Sequence, residues 1–378
     1  MKILVCNKHP QDALAGSETQ SDMVASYLHR FGHDVVYGVM KPKRKDYDTP
    51  YRAVPVAGPF SLRALIRRER PDVVYWRFNK NSLLTTALFC RLQRSPLVFT
   101  ISHINDIRKW IHIKRDFRRA GLTRRMRNLA FILKQKISAR INHMGYHWID
   151  GLLSVTDDFL KKLPAGIPDT VKRKRIYSSV KPTTAENFLW KRPYVVWVAN
   201  VKKAKNPEQY IGAAARARVP GVDFLLVGAI QEPSYAYIRD CEGLPDNLHY
   251  LGPQSPSRVA GILKGARFLV HTCNPEGFPN VFLQAWWLAK PVVSLNYDPD
   301  GLIEKEGIGF FSRTPAQMDE HIQRLLEDDR LRRDMGERAA AFARDRFDAE
   351  KNQRAVERFL LDIAGPGGGG SPSADSEA

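Results

Sequence analysis

The sequence lacks the features of a disulfide-stabilised or membrane-spanning protein. Its 378 residues include only four cysteines, which lie far apart and form no metal-ligand spacing: Cys6, Cys90, Cys241 and Cys273. We therefore expect reduced structural thiols, as in a cytoplasmic protein. No apolar run is long enough to cross a bilayer. The opening segment, residues 1–6, is too short for a signal-peptide core, so we expect a buried first strand there.

Acidic residues are scarce in the first half of the chain. Residues 1–180 hold 34 of the 59 Lys and Arg residues but only 14 of the 40 Asp and Glu residues, whereas the remainder holds 25 and 26. Residues 1–180 therefore carry a charge of +20 and the remainder −1, which together give the net charge of +19. Such asymmetry indicates an anionic surface or partner for that half.

Short apolar runs alternate with helical patterns, and this alternation begins again in the second half of the chain. The predicted strands lie at 3–6, 32–37, 72–76, 97–101 and 151–155, and then at 194–198, 224–228, 268–271 and 291–295. Alternation of this kind predicts an α/β protein with parallel sheets covered on both faces. We predict two doubly wound domains, 1–180 and 181–345, one long helix over 328–363 and a disordered tail at 365–378.

The most informative segment is 274–293, which reads as a loop, a helix and a strand. Glu276 stands before the helix and Gln284 about two turns inside it. Gly277 permits close approach of the backbone, and Pro279 fixes φ and can open a helix. The N–H groups at such a helix start suit an anion or a sugar hydroxyl.

This segment resembles the donor-site motif of retaining glycosyltransferases of family four, in which two acids are separated by seven residues and Gly-x-Pro follows the first. The second acid is replaced here by Gln284. The resemblance covers nearly the whole chain and implies the GT-B fold, two Rossmann-like doubly wound domains facing across a cleft. It also implies that a last helix, here 346–364, crosses back onto the first domain.

The resemblance assigns roles to the residues of this segment. Glu276 would meet the donor sugar, and Gln284 would meet the nucleotide ribose through its amide. The neighbouring backbone would contact sugar hydroxyls or phosphate oxygens, through Gly277, Phe278, Pro279, Asn280 and Val281. Trp286 and Trp287 are predicted to be packing residues. The alternative is an ordinary loop and helix start.

A second segment, 199–207, resembles the family's diphosphate-binding loop. Lys205 matches the family's Lys, whereas Asn200 stands where Arg is usual, and Lys202 or Lys203 can supply the missing charge. Lys205 would then stabilise the charge that develops on the leaving diphosphate. The alternative is a solvated basic loop.

Two positions in the first half complete the candidate site. Gly16 and Ser17 follow the first strand, where backbone N–H groups can reach a phosphate, although Ser17 is equally a candidate helix N-cap with Gln20 at the capping-box position. His103 follows the strand 97–101, at the strand end where parallel sheets bind ligands. The alternative for His103 is a structural histidine.

The segment 108–140 holds twelve Lys and Arg residues but only one acid, Asp116. Apolar residues recur with helical spacing in its second part, at Leu122, Met126, Leu129, Leu133 and Ile137. A basic amphipathic helix of this kind favours an anionic membrane surface, so we expect peripheral association with the cytoplasmic face of the membrane. The alternative is a helix packed on the sheet with a solvated basic face.

Taken with these patterns, the resemblance implies a retaining, metal-independent glycosyltransferase. It would move a hexosyl unit from a UDP- or GDP-sugar to a hydroxyl of a lipid-linked or polysaccharide glycan, without a cofactor. Asp298 and Asp300 are read as a loop beside the nucleotide, not as metal ligands. The alternatives are a nucleotide-sugar epimerase and a non-catalytic protein that binds anionic lipid or nucleic acid. We do not expect nucleic acid, because no nucleic-acid-binding module is present. Oligomeric state is left open.

Overall fold

Two parallel sheets organise the chain, one in each of two units. The computed structural model describes residues 1–12, 16–108, 122–180, 183–275 and 277–365, with backbone only for 122–125. The first unit comprises residues 1–177 and the segment from Glu350 onward, and the second comprises Ser178–Ala349. Except for Gly365, the predicted tail lies outside the described residues.

The first unit contains a seven-stranded parallel sheet of order β3-β2-β1-β4-β5-β6-β7. Its central strands are fully buried because helices cover both faces, which is why they read as continuous apolar runs. The strands are β1 (Lys2–Asn7), β2 (Asp34–Met40), β3 (Arg52–Val56), β4 (Val73–Trp76), β5 (Leu97–Ile101), β6 (Gly151–Ser154) and β7 (Lys172–Arg175). The helices are α1 (Gly16–Arg30), α2 (Pro59–Glu69), α3 (Leu83–Leu92), α4 (Ile104–Ile107), α5 (Leu122–His143) and α6 (Asp157–Lys161).

The second unit contains a six-stranded parallel sheet of order β10-β9-β8-β11-β12-β13. Its strands are β8 (Tyr194–Val198), β9 (Asp223–Val227), β10 (Leu248–Gly252), β11 (Leu269–His271), β12 (Val292–Ser294) and β13 (Gly309–Phe311). Its helices are α7 (Pro207–Arg216), α8 (Ala236–Arg239), α9 (Pro256–Gly265), α10 (Asn280–Trp287), α11 (Leu302–Lys305), α12 (Pro315–Glu327) and α13 (Asp329–Arg346).

The single long helix predicted over 328–363 is wrong, because the chain breaks into α13 and α14 (Ala349–Ala364). Phe347, at the break, is buried among aromatic side chains of the second unit. Helix α14 belongs to the first unit, where Phe359 and Leu360 enter the core. There Glu357 also accepts a hydrogen bond from His33 at 2.8 Å.

Strand order reverses once in each sheet. In the first unit β1 lies between β2 and β4, and in the second unit β8 lies between β9 and β11. Ligands of open α/β sheets bind outside the carboxyl ends of the strands at such switch points. The strand order therefore predicts ligand binding at the loops that follow β1 and β4, and at those that follow β8 and β11.

Candidate active site

The switch point of the second unit carries both segments that the sequence singled out. The loop 199–206 follows β8, and the loop 272–279 follows β11 and leads into α10. Strands β8 and β11 are hydrogen-bonded neighbours, so their carboxyl ends, and the loops that follow them, meet at one edge of the sheet.

Thr272 joins these two loops. Its side chain is fully buried, and its hydroxyl accepts a hydrogen bond from the indole N–H of Trp197 at 2.9 Å and donates to the carbonyl of Lys205 at 2.8 Å. Its own carbonyl accepts from the side-chain amides of Asn206 at 3.0 Å and Asn296 at 2.8 Å. The backbone that carries Lys205 is thereby fixed against the end of β11.

Asn206 makes the second connection between the loops. Its backbone adopts the left-handed conformation, with φ 47° and ψ 54°, directly before Pro207 begins α7. Its amide also donates to the side-chain carbonyl of Asn274 at 3.1 Å, and the N–H of Asn274 donates to the carbonyl of Ala204 at 3.2 Å. Asn206 tolerates this conformation better than most residues, because a short amide side chain can hydrogen-bond locally.

The charges at this edge come from the loop 199–206. Lys202, Lys205 and Asn200 are all partly exposed. His271, at the end of β11, adds no positive charge: burial, reinforced by the Lys205 ammonium, lowers its pKa to about 3. The edge therefore presents lysine ammonium groups beside a neutral imidazole, which suits a diphosphate.

Helix α10 starts at this edge, with Pro279 at its N-cap position and Asn280 and Val281 in its first turn. Gln284 lies one turn later and is partly buried; among the described residues its side-chain amide has no hydrogen-bond partner. The N–H groups of the first turn are suited to bind an anion. Glu276 lies outside the described residues, so its predicted role stays a prediction.

The side chain of Phe278 belongs to an aromatic cluster. Its ring centroid lies 5.4 Å from that of Phe347 and 6.3 Å from that of Trp286, and Trp286 stacks on Phe347 at 6.0 Å. Trp286 is fully buried, which confirms that it is a packing residue. The cluster anchors the turn 277–279, so Phe278 is left to contact a ligand chiefly through its backbone.

The start of α1 is tied to the end of β1 in the first unit. The side-chain amide of Asn7 donates to the carbonyl of Ser17 at 3.1 Å and to the hydroxyl of Ser21 at 2.9 Å. The helix begins at Gly16, so Ser17 lies within its first turn and the N-cap alternative is wrong. The Ser17 hydroxyl donates to the carboxylate of Glu18 at 3.0 Å instead.

His103 is the N-cap of α4, at the carboxyl end of β5. Its Nδ1 accepts a hydrogen bond from the N–H of Asn105 at 3.0 Å, so a neutral ring carries its proton on Nε2. The carboxylate of Asp106 accepts from the N–H groups of His103 at 2.9 Å and Ser102 at 3.0 Å. This geometry establishes a structural role for His103 and leaves its predicted catalytic role as a proposal.

Two basic residues near the end of β4 were missed by the sequence reasoning. Arg77 follows β4 directly and is 7% exposed, and Lys80 is 2% exposed. Burial lowers the pKa of Lys80 to about 8. The signal was available, because charged residues directly after a fully apolar strand fall at the ligand-binding edge of a parallel sheet.

Asp298, which follows β12, serves local structure. The carboxylate of Asp298 accepts hydrogen bonds from the N–H groups of Ile303 at 2.8 Å and Glu304 at 3.3 Å, at the start of α11. Burial raises the pKa of Asp298 to about 6. Across the described ranges, no group of three or more His, Cys, Asp or Glu side chains is placed to hold a metal ion.

Residues 109–121 of the predicted basic amphipathic segment lie outside the described residues. In the described part of α5, the apolar side chains point outward: Met126, Leu129, Leu133 and Ile137 are 49% to 65% exposed. The buried side of the helix carries mainly small or polar residues, Ala139, Asn142 and His143. The alternative was a helix packed on the sheet with a solvated basic face. Its exposed basic side chains are observed in this part, but the apolar side chains are not the ones that pack.

Comparison with known proteins shows what the second unit resembles. Residues 183–342 match the family model described as Glycosyl transferases group 1. Over 158 residues, the chain is 30% identical to the alpha-D-kanosaminyltransferase of Streptomyces kanamyceticus, a match that spans 39% of this chain and 40% of that relative.

Solved structures extend the likeness beyond the group 1 domain to both units. The Anabaena protein Alr3699/HepE, crystallised with UDP and glucose, superposes with a TM-score of 0.66 at 17% identity, covering 95% of this chain and 99% of that one. The sucrose-phosphate synthase of Thermosynechococcus elongatus gives a TM-score of 0.73 at 15% identity, covering 95% and 98%. These likenesses confirm the predicted α/β GT-B fold with two Rossmann-like units.

Proposed function

We propose that this protein is a retaining, metal-independent glycosyltransferase that moves a hexosyl unit from a UDP- or GDP-sugar to a hydroxyl of a lipid-linked or polysaccharide glycan, with no further cofactor. One observation carries the proposal: Thr272 fixes the loop that bears Lys205 beside the start of α10, at the switch point of the second sheet. Lysine ammonium groups and helix N–H groups there match a nucleoside diphosphate.

The proposed chemistry assigns each group a task. Lys205, with Lys202, stabilises the charge that develops on the leaving diphosphate. The amide of Gln284 bonds the ribose hydroxyls, and the backbone of 277–281 bonds the sugar or phosphate. Glu276 positions the sugar. Asn200 contributes a neutral hydrogen bond where the resemblance implies an arginine, which leaves Lys202 as the second cation.

The ligands of a structural relative support the choice of donor. The Anabaena protein was crystallised with UDP and with UDP-glucose. We propose the same donor class here, with UDP- or GDP-sugar as the first compounds to test. We assign the acceptor to the first unit, with His103 at the carboxyl end of β5. The backbone N–H groups of Gly16 and Ser17, at the carboxyl end of β1, are assigned to a phosphate.

Turnover of UDP- and GDP-sugars, with and without glycan acceptors, tests this proposal. Transfer should require an acceptor, and NMR of the product should show retained anomeric configuration. Glu276→Ala should abolish transfer with an unchanged melting temperature, and Lys205→Ala should lower kcat about 100-fold. Lys264→Ala, an exposed lysine on α9, is the matched control and should leave turnover unchanged.

Other outcomes would replace the proposal. Release of an epimerised nucleotide sugar without acceptor would establish the epimerase alternative. Failure of every nucleotide sugar to bind, measured by thermal shift, would favour a non-catalytic binding protein. Retained transfer by Glu276→Ala would overturn the assignment of the sugar site.

We propose in addition that α5 docks the protein on the cytoplasmic face of an anionic membrane. Its exposed apolar side chains lie among basic ones, including Arg127, Lys134, Lys136 and Arg140. A helix with an apolar face and basic neighbours lies in the membrane interface. No helix in the described part of the chain is long and apolar enough to span a bilayer. The proposed attachment is accordingly peripheral.

A further inference from the structure

Arg77 is a buried cation without a counter-ion. Its Nε donates to the hydroxyl of Ser102 at 2.9 Å and an Nη lies 3.4 Å from the hydroxyl of Tyr75, and both partners are neutral. No carboxylate among the described residues lies within 4 Å of the guanidinium. Arg52 shows the usual arrangement in the same sheet, paired with the carboxylate of Glu69. An unpaired buried charge costs several kcal/mol, so a position that keeps one needs a reason beyond folding.

Arg77 lies at the switch point of the first sheet. Its N–H donates to the carbonyl of Cys6 at 3.1 Å, which continues the pairing of β4 with β1 beyond Trp76. Side chains alternate along a strand, so Arg77 shares a face with Tyr75, which packs in the same core cluster as Val24 of α1. The guanidinium is therefore on the α1 side of this edge.

The start of α1 adds a second positive element. The hydrogen bonds from Asn7 to Ser17 and Ser21 hold the first turn of this 15-residue helix at the end of β1, next to β4. A helix N-terminus carries partial positive charge and N–H donors. A guanidinium and a helix start at one switch point form the usual parts of an oxyanion site.

Two acids at this edge are already hydrogen-bonded. The carboxylate of Glu18, in the first turn of α1, accepts from the hydroxyl of Ser17. The carboxylate of Asp106 accepts from two backbone N–H groups, and Lys80 donates to the carbonyl of Arg108 instead of to a carboxylate. In the described residues, neither Arg77 nor Lys80 has an acidic side chain within 4 Å. Neither of these acids pairs with Arg77, so an anionic ligand would supply its missing counter-ion.

We infer that Arg77 anchors an oxyanion, a phosphate or a carboxylate, carried by the acceptor substrate. This inference rests on the proposed function, since an acceptor exists only if the protein transfers a sugar. The planar guanidinium can bind either group through two parallel N–H bonds, which fixes the orientation of the acceptor. The class of acceptor is thereby narrowed from any glycan hydroxyl to a hydroxyl on an anionic glycan or glycolipid.

Calorimetry on the full chain tests the inference. UDP is first added to saturation to occupy the proposed donor site, and inorganic phosphate, glycerol 3-phosphate and glucuronate are then titrated separately. At least one should bind, and Arg77→Gln should raise its Kd at least about tenfold. Arg67→Gln removes an exposed charge on α2 and should leave that Kd unchanged. Binding of the phosphates alone or of glucuronate alone identifies the oxyanion.

Three results would overturn the inference: no binding of any of these anions, unchanged affinity in Arg77→Gln, or an equal loss in Arg67→Gln. Arg77→Met tests whether a loss of anion binding comes from misfolding. Replacing an unpaired buried charge by an apolar side chain should keep or raise the melting temperature while abolishing anion binding. A large fall in melting temperature would show a structural role for Arg77 instead. If UDP itself fails to bind, the proposed donor site fails, while anion binding through Arg77 is still measured without it.

Discussion

The indole N–H of Trp197 donates to the hydroxyl of Thr272 at 2.9 Å, joining residues 75 positions apart at the ends of β8 and β11. The same hydroxyl donates to the carbonyl of Lys205. One buried side chain thus couples the core of the second unit to the loop that carries the proposed catalytic charge. Both hydrogen bonds require a hydroxyl at position 272, so a small side chain without one cannot replace threonine.

We predict that Thr272→Val destabilises the protein and weakens donor binding. Valine fills the same space but leaves the Trp197 N–H and the Lys205 carbonyl without their partner, at about 1–3 kcal/mol for each unsatisfied group. The KM for the nucleotide sugar should rise, because the loop around Lys205 is no longer fixed. Urea unfolding and donor kinetics measure the two effects. Thr272→Ser keeps the hydroxyl and should restore most of both; a serine variant as impaired as the valine variant would contradict this explanation.

Gly228 is predicted to tolerate no side chain. It follows β9 with φ 146°, and a Cβ there would lie 1.8 Å from the carbonyl oxygen of Ala199, next to the candidate loop. Gly228→Ala should cost at least about 3 kcal/mol of unfolding free energy, since overpacking and backbone strain each cost about 1–3 kcal/mol. Chemical denaturation measures the loss.

Gly252 supplies the matched control for that substitution. It also has positive φ, 69°, but a Cβ there meets nothing within 4 Å. Gly252→Ala should therefore cost only about 1 kcal/mol, the penalty of the left-handed conformation. Equal losses at the two positions would show that backbone conformation, and not contact with Ala199, limits Gly228.

The central strands were predictable and the edge strands were not. Strands β1, β4, β5, β8 and β9 are buried on both faces and read as apolar runs. The four edge strands β3, β7, β10 and β13 were all missed. Strand β7 has the sequence Lys172–Arg175, largely exposed, because an edge strand can be built from charged residues when only one side is paired. Its sequence pattern gives no β signal.

The candidate site was predictable where it depends on local order along the chain. Strand, turn and helix signals predict the loops after β8 and β11 and the start of α10. Each of these predictions uses a stretch of only about thirty residues. The hydrogen bonds of Thr272 and the unpaired charge of Arg77 depend on long-range contacts, which one sequence does not reveal. The sequence also does not reveal that the apolar side chains of α5 are exposed, since periodicity identifies an apolar face but not what covers it.

His271 should make the stability of the second unit depend on pH. Burial lowers its pKa from 6.5 to about 3, so between these values the unfolded state binds a proton that the native state does not. Stability should therefore fall as pH drops below about 6.5, by up to about 1.4 kcal/mol per pH unit from this group. Urea unfolding between about pH 4 and pH 7 measures the slope. His271→Asn removes the titration and should flatten that slope, whatever its absolute stability; an unchanged slope would contradict the assignment.

The exposed apolar face of α5 predicts binding to anionic membranes. Leu129, Leu133 and Ile137 are 49% to 64% exposed and would leave water on docking. Because each buried methylene contributes about 0.8 kcal/mol, replacing all three by serine should weaken binding to phosphatidylserine-containing vesicles at least about tenfold. Phe60→Ser removes an exposed apolar side chain from α2 and should leave vesicle binding unchanged.

Neutralising Lys134, Lys136 and Arg140 should lower the salt sensitivity of binding, since each substitution removes about one electrostatic contact with the membrane. Vesicle co-sedimentation measures all three variants, and full binding by the triple serine variant would show that this face serves another partner.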